Sequence, residues 1–185
     1  MEIIVPETDV LWETCRWLLG RCWRLTKISP PSGQDTFGNG IDTDYSKGAF
    51  VECFKDWLLS EDLSRESLPA FSNSGVDIEA ENNDNGIIWR IECKGAGTGQ
   101  SQTLRNNFDR ALSSVVTYWD DLPNDKSAFQ LRLGLALPNH KYYMRQIRRI
   151  PERLRRDIQL WLLIYDSDTR MIQEYGLDKD IRNVF

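Results

Sequence analysis

Asp77, Glu92 and Lys94 are the residues of this chain whose types and spacing are best suited to chemistry. Glu92 and Lys94 are two positions apart, so in an extended strand both side chains leave the same face. Asp77 reaches that face only if a second strand brings it there. The sequence supplies that strand. Val76-Asp77-Ile78-Glu79-Ala80-Glu81 and Ile87-Ile88-Trp89-Arg90-Ile91-Glu92-Cys93-Lys94 both alternate apolar and polar residues, and the Asn, Asp and Gly of 82–86 between them are turn formers. The stretch therefore reads as a β-hairpin.

Residues directly opposite across a hairpin share a face, so the two apolar sets must coincide. Centring the turn on Asp84 and Asn85 sets Val76 against Cys93, Ile78 against Ile91 and Ala80 against Trp89. That face is core. The other face then pairs Glu79 with Arg90, which is favourable, and Asp77 with Glu92, which is not. Two opposed carboxylates have Cβ atoms roughly 5 Å apart and destabilise a sheet unless something compensates. A hard divalent cation compensates, since Mg²⁺ takes carboxylate oxygens and keeps positions open for water and phosphate. A raised pKa on one acid is the other remedy. An exposed strand with solvated charges is the plain alternative.

An acid before a hairpin, a turn, and Glu-x-Lys at the end of the second strand together resemble the PD-(D/E)XK nuclease superfamily, the restriction-endonuclease-like fold shared with Holliday-junction resolvases and Mrr-type restriction enzymes. The resemblance runs from about Tyr45 to about Tyr175, and Val76 stands where the family motif has proline. It implies a restriction-endonuclease-like mixed sheet flanked by helices, with an extra N-terminal helix. It also implies a Mg²⁺- or Mn²⁺-dependent deoxyribonuclease, an endonuclease by preference, acting on duplex or branched DNA. Asp77, Glu92 and the Cys93 carbonyl would bind the metal, and Lys94 would serve the attacking water or the charged transition state. The family adds an acid on a preceding helix. Gly48-Ala49-Phe50-Val51-Glu52 resembles that segment and makes Glu52 the further catalytic and metal-binding candidate.

A chain of 185 residues, 41% hydrophobic and with seven Trp, is long enough for one domain with a sizeable core. Its 23 basic and 28 acidic residues leave a net charge of −5, so nucleic-acid binding has to rest on a local basic surface. The four cysteines form no Cys-x-x-Cys pair and have only His140 as a histidine partner, which disfavours zinc. No stretch approaches the ~20 apolar residues of a membrane span, and the acidic start is unlike a signal peptide. A cytoplasmic protein with reduced thiols is expected.

The elements that position the hairpin follow from periodicity. A first helix, capped by Thr8 or Asp9 and running to about Leu25, carries Leu11, Cys15, Leu18, Leu19 and Cys22, with Trp12, Trp17 and Trp23 widening its apolar surface. Such breadth implies burial on more than one side, against the domain or a partner subunit. Residues 28–44 lack any period and read as a long loop, a flap near the site or a linker. With this helix, residues 1–44 read as a unit packed on a core of 45–185. A second helix from Tyr45 to about Ser60 buries Phe50, Phe54, Trp57 and Leu58 and turns Glu52 to roughly the opposite side. A short strand near Leu68–Phe71 leads into Asp77. Gly95 to Gly99 follows Lys94 and precedes a helix from Gln102 to Trp119. That glycine run lacks the spacing of a dinucleotide or P-loop turn, and the charged strand before it does not suit one buried on both faces. Alternation from Phe129 to Leu137 gives a strand, Lys141 to Ile158 a helix broken at Pro151, and Leu160 to Tyr165 a buried strand that Arg170–Tyr175 can pair with.

Candidate nucleic-acid contacts are Arg105 and Arg110 on the helix after Lys94, and Arg145, Arg148 and Arg149 in the basic cluster that continues through Arg153, Arg155 and Arg156. A solvated basic face is the plain alternative there. Ser113 and Ser114 stand where related nucleases often place a polar residue facing the phosphate. A homodimer or larger complex is compatible with one site per chain. The competing function is a non-catalytic nucleic-acid-binding or assembly subunit that keeps the nuclease fold.

Overall fold

The computed structural model describes residues 4–31, 47–61, 63–97, 101–120, 129–179 and 181. Among these residues the chain forms an α/β fold, a seven-stranded mixed sheet flanked by helices. In chain order the elements are α1 (Glu7–Leu19), β1 (Arg24–Ile28), α2 (Lys47–Ser60), β2 (Ala70–Phe71), β3 (Ile78–Asn82), β4 (Ile87–Cys93), α3 (Ser101–Thr117), β5 (Gln130–Pro138), α4 (Lys141–Ile147), α5 (Glu152–Asp157), β6 (Leu160–Asp166) and β7 (Met171–Tyr175). Across the sheet the order is β2-β1-β3-β4-β5-β6-β7.

The hairpin forms in the expected register. Ile78 pairs with Ile91, Glu79 with Arg90 and Ala80 with Trp89. The Glu79–Arg90 pair closes as an ion pair at 3.1 Å. Val76, Ile78, Ala80, Trp89, Ile91 and Cys93 are all buried. β4 is buried along its whole length, so Arg90 and Glu92 are buried as well as the apolar set. The charged face owes this to α3, which crosses from β4 to the parallel β5 and lies against both.

The N-terminal region differs from expectation. The first helix stops at Leu19, and Arg24–Ile28 is a strand, where the apolar period suggested helix as far as Leu25. The chain reverses at Gly20-Arg21-Cys22, with Cys22 in the left-handed region at φ 60, a conformation that few non-glycine residues adopt and that periodicity does not reveal. β1 pairs antiparallel with β3 and parallel with β2. The described part of residues 1–44 thus contributes a strand to the sheet as well as a helix packed on it.

The Trp-rich first helix spends its width inside the molecule. Trp17 lies edge-on to Trp89 of the sheet, with ring centroids 6.3 Å apart, while Trp12 packs on Phe50, Phe54 and Trp57 of α2. The sheet on one side and α2 on the other account for its apolar breadth. No described helix is long and apolar enough to cross a membrane, and the four cysteines are free thiols. Of the loop expected over 28–44, residue 28 closes β1 and residues 32–44 lie outside the described residues, as does the glycine run beyond Gly97.

Candidate active site

Asp77 immediately precedes β3, and two backbone contacts fix it. Its carbonyl accepts from Ser29 N at 2.8 Å, and its Oδ2 accepts from Cys93 N at 2.7 Å. The carboxylate is thereby bound to the strand that carries Glu92. Lys94 leaves the end of β4, where its own N–H donates to Ala136 O of β5. Its Nζ lies 3.0 Å from Glu92 Oε1, 2.8 Å from Cys93 O and 4.0 Å from Asp77 Oδ2. The three residues singled out from the sequence thus meet at one point.

A third carboxylate joins them, and it is not Glu52. Glu52 is exposed on α2, with its side chain at 71% of full exposure, and it bonds Lys55 at 2.8 Å. Glu7, the first residue of α1, instead places Oε1 at 3.2 Å from Lys94 Nζ. The helix supplying the third acid is the first one, not the second.

How Glu7 arrives there is local and physical. Val5 and Ala96 form a two-way bridge, each N–H donating to the other's carbonyl at 2.7 Å. This ties the segment before α1 to the segment after Lys94. Gly95 allows the approach: a Cβ there would stand 2.5 Å from both Val5 O and Glu7 N. Nothing in the sequence alone pairs residues so distant, although a glycine directly after Glu-x-Lys is the signal that points to the crossing.

From the opposite side Tyr118, in a 3-10 turn that extends α3, donates its hydroxyl to Glu92 Oε2 at 2.6 Å. Its carbonyl accepts from Arg90 Nη1 at 3.1 Å. Tyr118 is therefore the polar contact from the end of α3 to Glu92, and the Ser114 side chain bonds Tyr118 in turn. Sequence reading passed over Tyr118 as part of the helix.

The charges account for the protonation behaviour. Burial, followed by the neighbouring Glu92 charge, pushes Asp77 up to about 8, against the opposing pull of Lys94 and the Cys93 N–H. Burial alone would lower Lys94, but Glu7, Asp77 and Glu92 outweigh it and hold the ammonium above its usual value. Burial and the hydrogen bond to Glu92 raise Tyr118. With Asp77 protonated, the Glu7 and Glu92 carboxylates still share the one Lys94 ammonium, which leaves the cluster short of positive charge.

Among the described residues no group of three or more His, Cys, Asp and Glu side chains stands ready to hold a metal ion; the acids converge on the Lys94 ammonium instead. Their donor chemistry nonetheless fits a hard cation. Carboxylate oxygens and one backbone carbonyl are the ligand set of Mg²⁺ or Mn²⁺, and the deficit of positive charge is what such an ion would correct.

The arginines separate into distinct roles. Arg105 of α3 and Arg149, just beyond α4, line one groove between those helices. Arg110 is exposed roughly 140° round α3 from Arg105, away from that groove. Arg145 lies over the Tyr142 ring at 5.3 Å, and Arg148 is exposed at the C-cap of α4. Arg155 leaves the basic cluster altogether. It is fully buried and donates to the carbonyls of Tyr175, Gly176 and Lys179. His140 caps α4, accepting from Tyr142 N. Compared with family models, curated proteins and solved structures, the chain matches none.

Proposed function

We propose that the Glu7–Asp77–Glu92–Lys94 cluster is the centre of a metal-dependent nuclease of the PD-(D/E)XK type that hydrolyses phosphodiester bonds in DNA. The observation that carries this reading is the convergence on one point, Lys94 Nζ, of Glu7 at 3.2 Å, Glu92 at 3.0 Å and Asp77 at 4.0 Å. A structural role does not need three acids around one lysine, because burying them costs stability, whether as like charges or by forcing a proton onto Asp77. The sheet supports the same reading. α1, β1, the antiparallel β3–β4 hairpin, the crossover helix α3 and the parallel β5 occur in this chain order, with α2 and β2 between β1 and β3, an order compatible with a restriction-endonuclease-like core.

Asp77, Glu92 and the Cys93 carbonyl would hold Mg²⁺ or Mn²⁺, with Glu7 in the place first given to Glu52. A bound ion of this kind lowers the pKa of water and neutralises charge gathering on a phosphoryl group under attack. Tyr118 fixes the orientation of Glu92, and the Cys93 N–H fixes that of Asp77. Lys94, a compact cation with three donors, orients the attacking water or stabilises charge on the phosphate in the transition state.

The test is cleavage of linear, circular, branched and single-stranded DNA, and of RNA, with Mg²⁺ or Mn²⁺. Wild type should cleave at least one form, and EDTA or Lys94→Ala should abolish this. Glu7→Gln should reduce the rate by about tenfold or more, whereas Glu52→Gln should leave it unchanged. Silence of the wild type across the panel, or a Glu52 effect without a Glu7 effect, refutes the assignment.

A further inference from the structure

The groove between α3 and the α4–α5 corner has a volume of about 250 Å³. Its apolar floor is mainly Leu112 and Leu154 over the buried Phe108 and Ile150, and its polar rim carries Arg105, Arg149, Asp109 and Gln146. Leu154 is 38% exposed although it sits in an apolar setting. The two arginines are available to a ligand: Arg105 holds Asp109 only loosely at 3.6 Å with both side chains more than half exposed, and Arg149 bonds the neutral Gln146. The groove is linked to the acid cluster through the core. Phe108 packs against Tyr143, with ring centroids 6.3 Å apart, and Tyr143 donates its hydroxyl to Gly95 O at 2.7 Å, one residue from Lys94.

We infer that this groove seats an unpaired stretch of the substrate strand, with a base on the apolar floor and its flanking phosphates on Arg105 and Arg149. The inference rests on the nuclease reading and adds the form of the substrate. A duplex presents only sugar and phosphate to a lateral groove, and those groups gain nothing from an apolar floor. An unpaired base exposes its ring faces, and sites for single strands combine such a floor with cationic flanks. The strand is therefore single-stranded, or the unpaired arm of a branched molecule, where it leaves the acid cluster. An acidic apolar peptide meets the same floor and rim but also the Asp109 carboxylate, which disfavours it.

The experiment is fluorescence anisotropy on Asp77→Asn protein in EDTA, with a labelled single-stranded oligodeoxynucleotide and a blunt duplex of the same sequence. The single strand should bind about tenfold or more tighter than the duplex. Arg105→Ala with Arg149→Ala should weaken single-strand binding by about tenfold and flatten its salt slope by roughly 1.4. Leu154→Gln, at an exposed position, should weaken the single strand and leave the duplex unaffected, with circular dichroism confirming that each variant is folded. Equal or tighter duplex binding, variants that bind as the parent does, or displacement of the oligonucleotide by an acidic apolar peptide at lower concentration overturns the inference. The two readings fail separately. Metal-dependent cleavage without a single-strand preference removes only the groove assignment, and single-strand binding without cleavage by the wild type removes only the nuclease.

Discussion

Asp77 is the residue whose chemistry is most easily isolated. In the folded protein it keeps its proton up to about pH 8, while in the unfolded chain it loses it near 3.9. Between those values the folded state binds more protons, so this residue's contribution to stability is full below about pH 4 and declines as pH rises through 8. Metal-free wild type in EDTA should accordingly lose stability across that window, by on the order of a few kcal/mol at most. Asp77→Asn should flatten the dependence and be the more stable protein at pH 8. Urea unfolding of both proteins at pH 5 and pH 8 measures it, and a steeper decline for the variant would contradict the buried-carboxylate account. The same substitution should abolish cleavage, so that stability and activity move in opposite directions.

At the scale of elements, the site depends on a crossing of two segments. Gly95→Ala would place a methyl group 2.5 Å from Val5 O and Glu7 N, which must then shift. The expected outcome is a loss of about 1–3 kcal/mol of stability, read from the urea midpoint, together with weaker Mn²⁺ binding as Glu7 is displaced. Mn²⁺ binding at the wild-type level would show that the Val5–Ala96 bridge does not position the acid. What the sequence reveals of these elements depends on how local their causes are. The hairpin register was legible because alternation on two adjacent strands leaves one consistent pairing, and Asp77, Glu92 and Lys94 came with it. β1 was not, because Leu18, Leu19 and Cys22 continue a helical period through a reversal that one left-handed residue creates. Glu7 and Tyr118 were not, because each becomes a partner of the acids only through tertiary packing. Glu52 drew attention by a glycine-to-glutamate pattern, yet its helix turns it to solvent and to Lys55.

For the whole molecule, the arginines divide between one that is buried and holds the fold and others that stand exposed, as Arg148 and Arg149 do. Arg155→Ala removes a buried cation that binds the carbonyls after β7, and should destabilise the protein by about 3 kcal/mol or more. Arg148→Glu with Arg149→Glu should alter stability by no more than about 0.5 kcal/mol, while weakening DNA binding and its salt dependence. Thermal unfolding and a salt titration of binding distinguish the two; unchanged salt dependence in the charge-reversed protein would leave that surface merely solvated. The Glu7–Lys94 contact spans 87 residues of chain, and this bears on how the protein is made. During synthesis α1 emerges long before β4 exists to receive it, so Trp17 stays without its Trp89 partner until β4 has left the ribosome, while α2 is made in time to meet Trp12 earlier. Contacts of such long sequence separation form slowly. The acid cluster therefore assembles only after β4 is made, and a nascent chain exposes the Trp17 face of α1 before that cluster exists.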